Sequence, residues 1–445
     1  MNNAGYFDWP FRPEQRSDEQ QRQWWRLCYA EAAADRELQG MYHWVLLAGP
    51  PGSGKTVALS AWAARDAADV LVLRYPPDRW PGARTAWHPH DTSHLTQMLA
   101  VAGQGIAELL RLQPDLTAGI DAFQREFLRA LLERQGGPRR YQRFTLSLPP
   151  ELRSGFQDVP TDTDFFGESD TLIGIQALIQ ELTLLVNALG YRRLVYVVDP
   201  DPPLGPAQAE GLGDLFGWLD LTHSPDFVVA AAVRESLLRG SAMLARARSR
   251  VGLVYTDWTT AECHAVVERH LCQALPDAPP GLALSAYLTD DCRALADGLL
   301  LAEHGRPNPA AWVQLAEAML FAIYRADAPL SPPLSVEAFA TLRRLYFARH
   351  VTLRLDPQAR GVWRGPRLLP VDDQPLRFLQ LLRRRRQVLN WDDGELRDLA
   401  GSKNNMHSIA SRARRAIEPD PDDGDPIYLR NRKGQEGGYW LENCP

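Results

Sequence analysis

No apolar run in this chain approaches the roughly 18–20 residues that span a bilayer, so no membrane-spanning helix is expected. Cysteine is scarce: five residues, an odd number with no C-x-x-C pair, which argues against a disulfide framework and suits a reducing cytosol. The opening residues, Met1–Pro10, hold no basic segment followed by an apolar stretch, so a secretory leader is not expected and a cytoplasmic location is. Positive charge is not in excess either. Lys and Arg number 49 against 55 Asp and Glu, a net charge of −6, and the chain as a whole has no general affinity for nucleic acid. What is present is ordinary globular material, 45% hydrophobic and 23% charged. At 445 residues it is long enough for two or three domains.

Residues 49–56 read Gly-Pro-Pro-Gly-Ser-Gly-Lys-Thr, a full match to the phosphate-binding pattern G-x-x-x-x-G-K-[ST]. Gly49, Gly52 and Gly54 let the backbone curl so that successive N–H groups face a polyphosphate, and Pro50, Pro51, Ser53 and Val57 complete the candidate cofactor-binding loop. Lys55 suits the β- and γ-phosphates, and Thr56 offers a hydroxyl to Mg²⁺. Context supports the motif: His43–Ala48 is a short apolar run of buried-strand type, and the alanine-rich Val57–Ala68 reads as a helix.

Five apolar runs have the character of parallel strands: His43–Ala48, Val70–Tyr75, Arg193–Val198, Phe227–Val233 and Arg250–Tyr255. Four lead into helical segments, so the pattern predicts a doubly wound α/β sheet. Ahead of it a helix is expected from about Asp18 to Leu38, with Trp24, Trp25, Cys28 and Tyr29 on its apolar face. About 120 residues separate the second run from the third. They hold helical patterns around Leu95–Leu112, Ala118–Gln135 and Leu172–Leu189, a basic stretch Gly136–Arg140 and a polar one near Gln157–Asp164. From about Trp258 the pattern is all helical, in Ala261–Leu275, Leu284–Leu301, Pro309–Tyr324 and Val336–Phe347. Beyond Arg349, Val351–Leu355 reads as a strand with Gly361–Leu369 as its partner, and Ile427–Glu442 reads as a hairpin. Two groups have metal-ligand chemistry without metal-site spacing. Cys263, His264, His270 and Cys272 read as ordinary helix residues, and His88, His90, Asp91 and His94 as a solvated loop.

A phosphate loop needs a second acid for Mg²⁺, and Leu194–Asp199 supplies an apolar strand ending in Asp199. The following residue is Pro200, which cannot activate water; Asp201 is the nearest substitute. Nucleotide binding is therefore better supported than fast hydrolysis. Arg234, after the fourth apolar run, sits where a γ-phosphate sensor would, or is a surface arginine at a strand end. Arg306, in Gly305-Arg306-Pro307-Asn308-Pro309, is either a second sensor or part of a helix-start signal.

With these residues placed, the first 345 or so resemble the AAA+/STAND class of P-loop ATPases. The resemblance rests on Gly49–Thr56, Leu194–Asp199, Arg234, Gly305-Arg306-Pro307 in a helical lid, and the linker-like Tyr255–Thr259. Proline in place of the Walker B glutamate and the long insertion are departures. The resemblance implies ATP with Mg²⁺ held between core and lid, ATPase activity, and nucleotide-dependent homo-oligomerisation.

Residues 351–442 resemble the winged-helix output domain of OmpR-type response regulators. Val351–Asp356 and Gly365–Pro370 match its leading strands, Pro375–Arg384 and Asp392–Leu399 its first two helices, Asn405–Ile417 its recognition helix and Gly437–Leu441 its closing wing strand. Residues 350–445 carry 17 Lys and Arg against 14 Asp and Glu, so positive charge concentrates here. The resemblance implies DNA contacts from Lys403, Asn404, Asn405, Arg412, Arg414 and Arg415 at the helix, and from Arg430, Arg432 and Lys433 on the wing. Glu418, Asp420, Asp422, Asp423 and Asp425 form an acidic loop between them that would oppose phosphate approach, and such a domain also serves as a protein-contact module. The run Arg383–Arg386 reads as a solvated helix face.

The expected organisation is an N-terminal arm (1–40), a P-loop ATPase core (41–257) with an insertion at about 78–190, a helical lid (258–349) and a winged helix (350–445). The expected function is an ATP-binding, slowly hydrolysing switch whose winged helix contacts duplex DNA or a partner protein. The alternatives are a signalling scaffold of an antiviral defence system, with a protein effector on the winged helix, and a DNA-loading or transposition-regulating ATPase.

Overall fold

The computed structural model describes residues 24, 26–38, 44–65, 69–76, 80, 93–157, 159, 163–167, 171–199, 211–213, 215–216, 225–240, 251–275, 283–302, 305–326, 328–357, 359–365, 367–421, 425–432 and 437–444. The chain forms two compact units, one of Glu31–Gly49 with Gly54–Thr256 and the other of Met1–Ala30, Pro50–Ser53 and Asp257–Pro445.

The first unit is built on a parallel sheet. In chain order its elements are α1 (Ala33–Leu38), β1 (Val45–Ala48), α2 (Lys55–Arg65), β2 (Val70–Arg74), the helices α3 (Ser93–Leu112), α4 (Ala122–Gly136), α5 (Pro138–Ser147), α6 (Pro150–Gln157) and α7 (Leu172–Ala188), then β3 (Arg193–Val198), β4 (Phe227–Val233), α8 (Glu235–Gly240) and β5 (Gly252–Tyr255). The strands lie side by side in the order β2-β3-β4-β1-β5, each adjacent pair parallel.

Both faces of the sheet are buried, which is why its strands read as unbroken apolar runs. Alternate residues go to opposite layers. Val45, Leu47, Val195, Val197, Val228 and Ala230 pack with Ala34, Leu38, Ala58 and Leu59 of α1 and α2. Leu46, Ala48, Leu194, Tyr196, Val198, Val229 and Ala231 pack with the helices of the insertion, among them Met98, Leu99, Ile175 and Leu182. The insertion thus forms one of the two layers that cover the sheet. Buried polar bonds tie it to the sheet: the Tyr196 hydroxyl donates to the Met98 carbonyl at 2.7 Å, and the Tyr75 hydroxyl meets His94 Nδ1 at 3.0 Å.

The second unit continues with α9 (Thr260–Ala274), α10 (Asp290–Leu299), α11 (Pro309–Tyr324) and α12 (Val336–His350). A three-stranded antiparallel sheet follows, β6 (Leu353–Asp356), β7 (Gly361–Arg364) and β8 (Arg367–Pro370). The chain ends with α13 (Asp373–Arg385), α14 (Gly394–Ala400), α15 (Lys403–Ile417) and an antiparallel hairpin of β9 (Leu429–Arg432) and β10 (Gly438–Leu441). One apolar core runs from Cys263 through Trp312 and Phe339 to Phe378, Ile409 and Leu429, so the helical segment and the C-terminal segment share a single interior.

Four sequence expectations are corrected. The helix expected over Asp18–Leu38 is broken: Cys28 and Tyr29 both donate to the Trp24 carbonyl and end the turn, and the Asp35 carboxylate takes the Ala32 amide at 2.6 Å to start α1 afresh. The helix expected from Ala118 begins at Ala122, because Asp121 and Gln124 form a capping box and Pro114–Gly119 winds as a 3-10 turn. Leu284–Leu301 divides into a 3-10 turn and α10 at the Thr289 cap. Gly361–Leu369 is two strands, turned at Gly365, whose φ of +57° suits glycine.

Candidate nucleotide site and C-terminal helix face

The loop 49–56 follows β1 and runs into α2, the strand-loop-helix order that phosphate cradles use. Gly52 and Gly54 have φ of +79° and +81°, a left-handed conformation that costs other residues about 1 kcal/mol. No acid occupies the first turn of α2, which leaves its positive end open to anions. Lys55 Nζ donates to the Gly49 carbonyl at 3.0 Å, closing the loop on itself.

Strand order places the other candidates. β4 lies between β1 and β3, and the register pairs Ala48 with Val233 and Val198 with Ala231. Gly49 is therefore level with Arg234, and Asp199 with Ala232, all at the carboxyl ends of neighbouring parallel strands. Two strand spacings across and two residues along put the Asp199 backbone roughly 12 Å from that of Gly49. Carboxyl ends of parallel strands are where open α/β sheets bind ligands. Asp199 and Arg234 are both half-buried, and Thr56 is exposed. Asp201 lies outside the described residues.

The loop tip, Pro50–Ser53, belongs to the second compact unit. Arg306 is there too, and it forms an ion pair with Asp257 at 2.9 Å. Two residues of the same segment hold the tip and were not singled out as site residues: Asn308 Nδ2 donates to the Pro51 carbonyl at 3.1 Å, and Trp258 Nε1 to the Ser53 carbonyl at 2.8 Å. The only sequence signal for Asn308 was its place before Pro309 at a helix start.

No protein-family model matches the sequence, and no curated protein matches it. Among solved structures, the chain is similar to Orc1 of Aeropyrum pernix in complex with DNA (14% identity, TM-score 0.33, 93% of this chain and 90% of that one). It is also similar to Cdc6p of Pyrobaculum aerophilum (12%, 0.36, 100% and 95%) and to a RuvB variant of Thermotoga maritima (15%, 0.28, 96% and 92%). At these values the likenesses are distant.

In the C-terminal segment, α15 begins two residues ahead of the expected Asn405, where Ser402 Oγ accepts from the Asn405 amide. Met406, Ile409, Ala410, Ala413 and Ile417 are buried. Helical geometry puts Asn404, His407, Ser408, Ser411 and Arg415 on the opposite, exposed face.

The nine residues named for DNA contact divide into two sets. Lys403, Asn404, Arg415 and Arg432 are exposed. The others that are described hold the domain together. Asn405 Nδ2 donates to the Ala400 carbonyl, Arg412 to Gln374 Oε1, and Arg414 to the Leu429 carbonyl and Asn431 Oδ1. Arg430 pairs with Asp425 and Glu442. Lys433 lies outside the described residues. On the exposed face His407 Nδ1 meets the Tyr439 hydroxyl at 2.7 Å, and burial raises the pKa of that phenol.

The acidic loop is not a free patch of negative charge. Glu418 is buried and its carboxylate accepts from three successive amides, Ile427, Tyr428 and Leu429, at 2.7–2.8 Å. Asp420 pairs with Arg343 at 2.6 Å, and Asp425 with Arg344 and Arg430. Asp422 and Asp423 lie outside the described residues. Of the Arg383–Arg386 run, Arg384 and Arg385 pair with Glu395 of α14.

Among the described residues no three His, Cys, Asp or Glu side chains cluster to hold an ion. His264 bonds Asp297, His270 lies between the Trp24 indole and the Val266 carbonyl, and burial pushes the Cys263 thiol up to about 12. His94 bonds the Tyr75 hydroxyl; His88, His90 and Asp91 lie outside the described residues. Among the described residues no helix is long and apolar enough to cross a membrane.

Proposed function

We propose that the chain is an AAA+/STAND-type ATPase that binds ATP·Mg²⁺ at residues 49–57 and serves as a slow nucleotide-controlled switch, with its C-terminal winged helix on duplex DNA. One observation carries it. The glycine loop, an acid and an arginine emerge from three adjacent strands of one parallel sheet, β1, β3 and β4, at their carboxyl ends.

The donor set fits a metal polyphosphate: loop amides, one ammonium, one hydroxyl and one carboxylate, with no acid on the loop itself. When bound, the nucleotide supplies the phosphoanhydride and the cation its Lewis acidity. Lys55 would exchange the Gly49 carbonyl for phosphate oxygens, Thr56 and Asp199 would hold the cation, and Arg234 would answer the terminal phosphate. Arg306 would act from its pairing with Asp257. Pro200 leaves the position after Asp199 without a base, so turnover is slow.

Calorimetric titration of the full chain with ATP·Mg²⁺ tests the site. Lys55→Ala removes a charge-assisted bond and weakens binding on the order of a hundredfold; unchanged affinity would sink the assignment.

The DNA assignment draws on the exposed face of α15, with short polar side chains and Arg415, and on the pairing of the acids that would otherwise repel phosphates. A linear fall of log affinity for duplex DNA with log salt supports it. No binding at low salt would leave a protein effector as the partner.

A further inference from the structure

We propose that Asn308 is a positioning residue of the phosphate-binding loop, fixing the peptide planes that present amides to the anion; this rests on the nucleotide site proposed above. Three successive carbonyls of the loop tip each receive a hydrogen bond from the segment 258–310. Pro51 O accepts from Asn308 Nδ2 at 3.1 Å, Gly52 O from the Ala310 amide at 3.3 Å, and Ser53 O from Trp258 Nε1 at 2.8 Å.

A trans peptide is planar, so the carbonyl of one residue and the amide of the next point in opposite directions. Pinning the carbonyls of Pro51, Gly52 and Ser53 turns the amides of Gly52, Ser53 and Gly54 the other way. The Ser53 amide also closes a turn onto the Pro50 carbonyl at 3.3 Å. The amides of Gly52 and Gly54 are left as fixed donors on the side away from the three anchors. A loop without anchors would have to order those planes on binding, at a cost of roughly 1–2 kcal/mol per residue.

Asn308 has the central place because it is buried and divides its amide between two tasks. Oδ1 accepts from the Ala311 amide and caps α11, and Nδ2 holds Pro51. The approach is close: a Cβ on Gly52 would lie 2.7 Å from Asn308 Oδ1. Glycine at position 52 therefore serves the latch as well as the left-handed turn.

The two tasks separate by substitution. Serine caps helices about as well as asparagine, carries no charge and is too short to reach Pro51. In the full chain, Asn308→Ser keeps the melting temperature measured without nucleotide and binds ATP·Mg²⁺ about tenfold more weakly by calorimetry. Asn308→Ala shows the same loss of affinity and also melts roughly 2 °C lower, from the lost cap. Trp258→Phe keeps an aromatic side chain but loses the Nε1 donor to Ser53, and weakens binding in the same direction. Wild-type affinity in both Asn308→Ser and Trp258→Phe would overturn the latch and leave the nucleotide site standing. Absence of nucleotide binding by the wild-type chain would remove both.

Discussion

The two compact units are held together by different physics. In the sheet unit all seven residues of β4, Phe-Val-Val-Ala-Ala-Ala-Val, are buried, and most of the stabilisation is apolar area removed from water on both faces. In the C-terminal segment, ionised side chains tie elements together by their backbones. Glu418 gathers three amides of the β9 approach, Arg364 of β7 donates to the Ile417 carbonyl, and Arg414 of α15 donates to the Leu429 carbonyl. The lesson is that an apolar interior tolerates gradual change, whereas a polar anchor leaves several groups unsatisfied when one side chain is lost.

The sharpest way to break this comparison is to remove one key residue from each unit. Glu418→Ala orphans three buried amides and costs about 4 kcal/mol, with hydrogen exchange accelerated across 353–441 and unchanged in β1–β5. Leu46→Ala leaves a cavity, costs about 3 kcal/mol and does the reverse. Equal acceleration of both units by either variant would show that they unfold as one.

Alkali acts next. Burial pushes the Cys263 thiol and the Tyr141 phenol each up to about 12, while both ionise lower in the unfolded chain. Between the unfolded and folded values the native state holds the extra proton, so stability falls as pH rises, from about pH 9 for Cys263 and about pH 10 for Tyr141. The native Cys263 thiol is expected to resist alkylation at pH 8; rapid modification without unfolding would contradict its burial.

Salt gives the smallest effect. Arg343→Ala and Arg344→Ala remove partly exposed partners of Asp420 and Asp425 and cost below about 1 kcal/mol each. That difference shrinks in 1 M salt, whereas the cost of Leu46→Ala does not.

Legibility followed the same divide. The five strands were visible because burial on both faces removes polar residues from them. The insertion's helices were visible as amphipathic stripes, but a stripe does not name its partner. That α3–α7 cover the face carrying Leu46, Leu194 and Tyr196 depends on contacts such as Tyr196 to Met98, 98 residues apart. The glycine loop and Asp199 could be read locally. That Arg234 leaves the strand between them could not, because the order β2-β3-β4-β1-β5 is a property of crossovers. Asn308 was readable as a cap, while its hold on Pro51 joins residues 257 apart. Glu418 and Arg414 looked like surface charges because composition cannot distinguish a solvated ion from one bonded to the backbone.

The position of β4 between β1 and β3 makes the sheet a ruler. The gap between the loop's first residue and Asp199 is set by two strand spacings and the pairing register of a hydrogen-bonded backbone, not by side chains. Drift in the residues lining either face can thicken or thin the layers without changing that gauge. Only an event that adds or removes a strand would reset it.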